Sequence, residues 1–324
     1  MWEIYPNDDR DWDNLVKKEK FFPYRQLSNW SNYKKSHNWN NLKLQFVEKN
    51  EVTNYANVLY KVFLNIIFIY IPGGLYKREN IDQLINKIIK IKNKNFYYIR
   101  IDDNRSNIIN KNVYEHLNFA KSKYLNNKFN NSLRVNLNGD IKSKLQELDS
   151  KWRYNYNRSL KNNIKIETES NPNLKLLLEL ANKMEKNKKI KQIHSIAEIT
   201  NMLKYFKNNL VIKTAYKNNE LIGFRMAFFF KNIAWDIYGA SSVKGRNNKV
   251  GYQLIWSIIE DCYKDRIEIY DLGGIYDHSM RHFKTGISDF EYKFPGEYEK
   301  SNIPILSYTI SIILKIAGTQ FLNK

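Results

Sequence analysis

The stretch VIKTAYKNNELIGFRMAFFFKNIAWDIYGA, residues 211–240, carries the pattern that decides the fold. Lys217-Asn218-Asn219-Glu220 is a tight-turn signal between two runs of β-branched and aromatic residues. These runs read as an antiparallel hairpin, and NIAWDIYGA adds a third strand. Downstream, GYQLIWSIIEDCYK (Gly251–Lys264) places Leu254, Ile255, Ile258 and Ile259 on one helical face. IEIYDL (Ile267–Leu272) then reads as a buried strand, stopped by Gly273 and Gly274. A meander followed by a helix and a buried strand indicates a mixed sheet in an α/β domain.

The first half repeats this order of elements without a residue-level repeat. VTNYANVLYKVFLNIIFIYI (Val52–Ile71) splits into two or three strands before Pro72-Gly73-Gly74. IDQLINKIIKIK (Ile81–Lys92) is an amphipathic helix, and FYYIRI (Phe96–Ile101) a strand. VYEHLNFAKSKY (Val113–Tyr124) reads as a helix and SLRVNL (Ser132–Leu137) as the strand closing this half. The second half opens with one helix over IKSKLQELDSKWRYNYNRSLKN (Ile141–Asn162), and ends with a short helix, HSMRHFK, and the strand FEYKF. A length of 324 residues suits two domains. We expect the first over 1–140 and the second over 141–301, with a final helix, 302–324, packing back on the first.

Composition narrows the chemistry. The single cysteine, Cys262, excludes an internal disulfide, lies in an apolar helix, and reads as core. His278 and His282 are four apart but lack the glutamate of H-E-x-x-H, so no metal site is expected. There is no G-x-S-x-G, P-loop or G-x-G-x-x-G, against hydrolase, NTPase and dinucleotide-binding readings. MWEIYPNDDRDW is acidic and polar rather than a signal peptide, and Ile303–Leu322 contains Lys315, Ser, Thr and Gln. An intracellular chain with an amphipathic final helix is expected. The net charge of +20 points to a polyanionic partner: RNA, a nucleotide-linked substrate or an anionic membrane face. Lys, Asn and Ile are enriched throughout, so compositional bias accounts for the charge equally well.

The order of elements is that of the GNAT acyltransferase fold. In that fold a loop of pattern R/Q-x-x-G-x-G/A opens a helix and grips a pyrophosphate with backbone N–H groups. The matching place here is RNNKVG: Arg246 and Gly251 fit as donor-binding residues, but Lys249 stands at the first glycine. Gly273 and Gly274 let the strand end turn sharply beside a substrate, and account equally for a tight connection. In FKTG (Phe283–Gly286), Lys284 could stabilise an oxyanion, although a solvated lysine is the simpler local reading.

Taken in order, YRQLSNWSNYKK with Trp39, IYIPGGLYKREN, FYYIRIDDN, WRYNYNRSLKNNIKI, IYGASS, and YDLGGI followed by FKTGISDFEYKFPGEY resemble the FemABX peptidoglycan-bridge aminoacyltransferases over most of residues 20–300. The resemblance implies two tandem GNAT-like domains with mixed sheets and no long coiled-coil insert. It implies aminoacyl transfer from aminoacyl-tRNA to an amine of a UDP-linked or lipid-linked muropeptide, without cofactor or metal, by a cytoplasmic monomer with peripheral contact at the inner membrane face. Lys284 and Phe283 are then catalytic: the lysine stabilises the oxyanion and the phenylalanine carbonyl orients the amine. Lys34, Arg153, Arg158, Tyr238, Asp271, Gly273 and Gly274 are substrate-binding. Departures are IPGGL where the family more often has PRGP, and Ile287 where FK-x-G-F ends in Phe. A second reading is an N-acyltransferase acting on a nucleotide- or lipid-linked amino sugar, and a third is a non-catalytic surface-binding protein.

Overall fold

The computed structural model describes residues 1–105, 113–122, 131–188, 194–274 and 278–317. Lys123 and Tyr124 of the expected fourth helix, Ile275–Asp277 of the glycine turn, the His278 side chain and residues 318–324 of the final helix lie outside the described ones. The chain divides into two compact units, residues 1–130 with 293–324, and residues 131–292.

The first unit runs β1 (Trp2–Ile4), α1 (Asp9–Val16), α2 (Ser28–Lys35), β2 (Asn40–Glu48), β3 (Glu51–Phe63), β4 (Ile66–Pro72), α3 (Ile81–Lys92), β5 (Phe96–Asp103), α4 (Val113–His116) and β6 (Ala120–Lys121). On α3, Ile81, Leu84, Ile85 and Ile88 are buried against the sheet, as the helical spacing predicts. The helix stops at Asn93, whose left-handed backbone turns its N–H back onto the Ile89 and Lys90 carbonyls.

The second unit runs β7 (Asn131–Asn136), α5 (Ile141–Glu147), α6 (Ser150–Leu160), β8 (Lys165–Thr168), α7 (Leu174–Asn187), α8 (Ile196–Phe206), β9 (Leu210–Lys217), β10 (Glu220–Phe230), β11 (Ile233–Ser241), α9 (Val243–Asn247), α10 (Val250–Lys264), β12 (Ile269–Asp271), α11 (His278–Thr285) and β13 (Phe290–Lys293). The chain then returns to the first unit with β14 (Gly296–Ser301) and α12 (Pro304–Ala317). The helix expected over 141–162 is broken, because the Asp149 carboxylate accepts from the Lys151 and Trp152 N–H groups and caps α6 anew. The expected helix over 113–124 is a single turn that gives way to β6.

Among the described residues there are two seven-stranded mixed sheets, ordered β1-β2-β3-β4-β5-β14-β6 and β13-β7-β12-β11-β10-β9-β8. The boundaries differ from those expected at two strands. SLRVNL, expected to close the first half, is β7 and pairs with β12. Residues 296–301, expected in the second domain, pair along β5 from Asp103 to Tyr98. Arg100 explains the second exchange, since its guanidinium makes two 3.0 Å bonds to the buried Glu297 of β14. Ile310 of α12 packs on Tyr98 with Phe68 and Leu306 around it. No helix among the described residues is long and apolar enough to cross a membrane.

Candidate active site

The two sheets differ where their parallel strands end. In the first unit β4 and β5 pair over seven residues, Ile66 to Pro72, and Gly73 N–H extends the ladder to the Asp102 carbonyl at 2.8 Å. That end is filled: a Cβ on Gly73 would lie 2.6 Å from Pro23, and one on Gly74 2.6 Å from the carboxyl carbon of Asp103. In the second unit the equivalent pair, β11 with β12, lasts three residues and stops at Trp235 and Asp271. β11 continues to Ser241, paired among the described residues with β10 alone, while the chain leaves β12 through Leu272 and Gly273. The pairing of the two parallel strands therefore ends within the sheet, and in a GNAT-like sheet such a strand end is a place where a ligand can pair in place of a strand.

Lys284 lies at this parting. Its ammonium is buried and donates to the Leu272 carbonyl at 2.5 Å and the Gly274 carbonyl at 2.8 Å. Gly273 has φ of +72°, the left-handed backbone that favours glycine, and a Cβ there would lie 3.9 Å from the Lys284 nitrogen. Gly274 needs no such freedom, since only Gly273 of the pair has positive φ. The turn is fixed from below by Asp271, whose Oδ1 accepts from Gly273 N–H at 2.9 Å and from the Ser132 hydroxyl. Its other oxygen accepts from Arg134 Nε at 2.8 Å. Asp271, expected to bind substrate, thus shapes the strand end instead. The two carbonyl groups hold the Lys284 ammonium beside the strand end.

Gly286 of FKTG is explained by packing, since a Cβ would lie 3.1 Å from the Trp152 indole. Trp152 in turn meets Tyr156, Tyr252 and Trp256. Phe283 sets its ring edge-on to Tyr252 at 5.0 Å and covers Gly251, whose added Cβ would lie 3.6 Å from it. The start of α10 and the FKTG turn are thereby in contact. Lys249, in the place of the first motif glycine, has φ of +60°, so the left-handed turn is kept with a lysine side chain. Gly245 is indispensable there, because a Cβ would lie 2.2 Å from the Ile222 carbonyl oxygen. Arg246 is exposed and donates to the Ser241 carbonyl at 2.8 Å.

The sequence reading missed a network beside Lys284. Arg225 donates to Asp236 through Nε at 2.7 Å and through a terminal nitrogen at 2.6 Å, and the Tyr270 hydroxyl donates to Asp236 at 3.1 Å. The Asp236 carbonyl lies 4.0 Å from the Cβ position of Gly273, and the Arg225 guanidinium 5.9 Å from the Phe283 ring centre. Burial works against the Arg225 charge, but Asp236 and Tyr270 together outweigh it and the pKa is raised. The available signal was one charge inside each apolar strand, Arg225 in IGFRMAFFF and Asp236 in IAWDIYGA. Buried charges of opposite sign need each other.

The same strand explains where Tyr238 goes. The register shifts between Met226, opposite Tyr238, and Ala227, opposite Asp236, so Ile237 is an extra residue. Asp236 and Tyr238 are two apart yet face different sides: Asp236 meets Tyr270, while Tyr238 packs with Met226, Phe224 and the α7 leucines. Tyr238, expected to grip the acceptor, is buried there and donates to Glu185 at 2.8 Å. Burial, then Glu185, raises its pKa. Arg153 and Arg158 lie on α6, away from its buried face of Trp152, Tyr156 and Ser159. The Arg153 guanidinium donates to the Gln146 carbonyl, and Arg158 is exposed. Lys34, in the first unit, is buried on α2 with its ammonium 5.2 Å from the Trp30 ring and 5.5 Å from the Tyr33 ring.

Comparisons with known proteins agree with this architecture. Residues 153–293 match the family described as an acetyltransferase (GNAT) domain. No curated protein matches the sequence. Among solved structures, FemX is similar with a TM-score of 0.81 and 15% identity, over 95% of this chain and 100% of that one. A tandem GNAT protein from the clavulanic acid biosynthesis pathway gives 0.57 and 9%, over 94% and 99%. The L-PGS of Bacillus licheniformis gives 0.54 and 9%, over 97% of each chain. The GNAT match and the shared fold support an acyltransferase. The chain has the FemX fold, two GNAT-like α/β units in tandem, with the GNAT match falling on the unit that holds Lys284.

Proposed function

We propose that this chain transfers an aminoacyl group from aminoacyl-tRNA to an amine on the stem peptide of a peptidoglycan precursor, building a cell-wall bridge. The observation that carries the proposal is the Lys284 ammonium, fixed by the Leu272 and Gly274 carbonyls where β11 and β12 part. The donor is an ester and the acceptor an amine, so orientation and charge stabilisation do most of the work. The amine nitrogen attacks the ester carbonyl, whose oxygen gains negative charge beside Lys284. Collapse releases the ribose hydroxyl of the tRNA, which takes up the proton lost by the amine. In this reading the Phe283 carbonyl orients the amine, Lys34 contacts the acceptor phosphate, and Arg153 and Arg158 bind substrate. The +20 net charge supports a polyanionic donor, and the FemX-like fold supports the reaction class.

One observation favours a second reading, an acyl-CoA-dependent N-acyltransferase acting on a nucleotide- or lipid-linked amino sugar. Lys249, where the motif has a glycine, takes the left-handed backbone that glycine adopts freely and leads directly into the N-terminus of α10. The test is to incubate the purified protein with charged total tRNA or with acyl-CoA, together with nucleotide-linked or lipid-linked muropeptide precursors, and to weigh the products. An added amino-acid mass that requires charged tRNA is expected. Acyl addition from CoA without tRNA would overturn the first reading in favour of the second.

A further inference from the structure

The turn joining β3 to β4 breaks a rule that the other hairpins in the described residues obey. Where β2 meets β3 the left-handed positions are Lys49 and Asn50; where β9 meets β10 they are Asn218 and Asn219; where β10 meets β11, Lys231. Asn and Lys are polar, and Asn tolerates this conformation well. At the β3–β4 turn the left-handed residue is Leu64, with φ of +52°, and it is 78% exposed. Phe63 beside it is 66% exposed. Neither side chain supports the core, and a leucine is a poor choice for this backbone.

Two further apolar side chains share that end of the sheet. Phe96 N–H donates to the Asn65 carbonyl at 3.3 Å, and Lys94 donates to the Leu64 carbonyl at 3.1 Å. Asn302, just before α12, accepts from Tyr97 N–H at 2.8 Å and donates to the Asn95 carbonyl at 2.8 Å. One turn on, Ile305 is exposed, as is Phe96 itself. The surrounding charge has one sign. From Gln83 to Ile99 the sequence holds Lys87, Lys90, Lys92 and Lys94 and no acid, and no acid occurs from Tyr55 to Ile71 or from Ser301 to Ala317. An exposed apolar tip whose adjoining segments carry lysines and no acid is complementary to a bilayer with anionic headgroups: the apolar side chains enter the acyl boundary while the ammonium groups meet phosphate.

We propose that the β3–β4 tip, with Phe96 and Ile305, is a docking surface for an anionic lipid bilayer. It rests on no reading of the reaction. Phe63 and Leu64 insert, and Lys90 and Lys94 select the lipid charge.

The whole chain is sedimented with vesicles of phosphatidylcholine alone and of phosphatidylcholine mixed with phosphatidylglycerol. Binding to the mixed vesicles alone is expected. Phe63→Ser with Leu64→Asn should lower the partition coefficient at least about tenfold. The doubled variant should melt at or above the wild-type temperature, because asparagine suits the left-handed turn. Lys90→Gln with Lys94→Gln should narrow the difference between the two vesicle types. Equal sedimentation of the tip variant and the wild type overturns the proposal, as does wild-type chain that sediments with neither vesicle. Sedimentation velocity without lipid supplies the remaining control: concentration-dependent dimers that the tip variant abolishes would assign the surface to a second copy instead. Turnover on a soluble, nucleotide-linked acceptor should be the same in the tip variant, so failure of docking and failure of the proposed reaction are read separately.

Discussion

At Gly245 a methyl group meets the Ile222 carbonyl oxygen at 2.2 Å, and neither backbone can yield without moving α9 off β10. Gly245→Ala should therefore destabilise the second unit by roughly 1–3 kcal/mol, as overpacking does. A urea midpoint equal to wild type would contradict this. Gly273 is the opposite case, with room for a methyl group but a left-handed backbone that costs a β-carbon about 1–2 kcal/mol. Gly273→Ala should lower turnover more than it lowers the melting temperature, because the Leu272 carbonyl that orients Lys284 adjoins the altered residue. At this scale the glycine turn and a lysine beside it were legible in the sequence, but not the partners that Asp271 and Tyr238 find. Asp271 reads as a ligand until Arg134 and Ser132 arrive from a strand some 140 residues away in sequence. Tyr238 reads as a cleft residue until the extra residue at Ile237 turns it to the other face.

The elements most legible in the sequence are those whose stability is local. The α3 and α10 helices follow from apolar spacing alone, and the β9–β10 hairpin from its two turn asparagines. Strand partners are not local, and both boundary strands, β7 and β14, pair with strands far along the chain. β14 is held by a buried ion pair, which makes its placement testable. Burial raises the Glu297 pKa, while Arg100 pulls it down. Arg100→Met removes that pull and breaks a buried ion pair from one side, at a cost of roughly 3–5 kcal/mol. The folded state then binds the Glu297 proton more tightly than the unfolded state does, so stability is greatest in acid and falls as pH rises through the raised value. The variant should recover part of its deficit as pH is lowered from about 8 toward about 5. A deficit that does not change with pH would contradict the pairing.

On the scale of the whole molecule, the discontinuous first unit sets what can fold alone. Residues 131–292 carry every strand that pairs with β12, β11, β10 and β9, and should fold in isolation with cooperative melting. Residues 1–130 lack β14, leaving Arg100 without Glu297 and the Tyr98 hydroxyl without Glu299, and should not. A cooperative transition for 1–130 would contradict the topology. Charge acts at this scale too. If the donor is tRNA, its affinity should fall steeply and log-linearly with salt as phosphate contacts release counterions, and a flat dependence would count against that donor.

The most direct measurement is turnover and substrate binding for Lys284→Met. A cation fixed at the parting of β11 and β12 that meets developing charge predicts a turnover loss of roughly 10²–10³-fold, with both substrates bound nearly as in the wild type and an unchanged melting profile. Wild-type turnover in that variant would contradict the account.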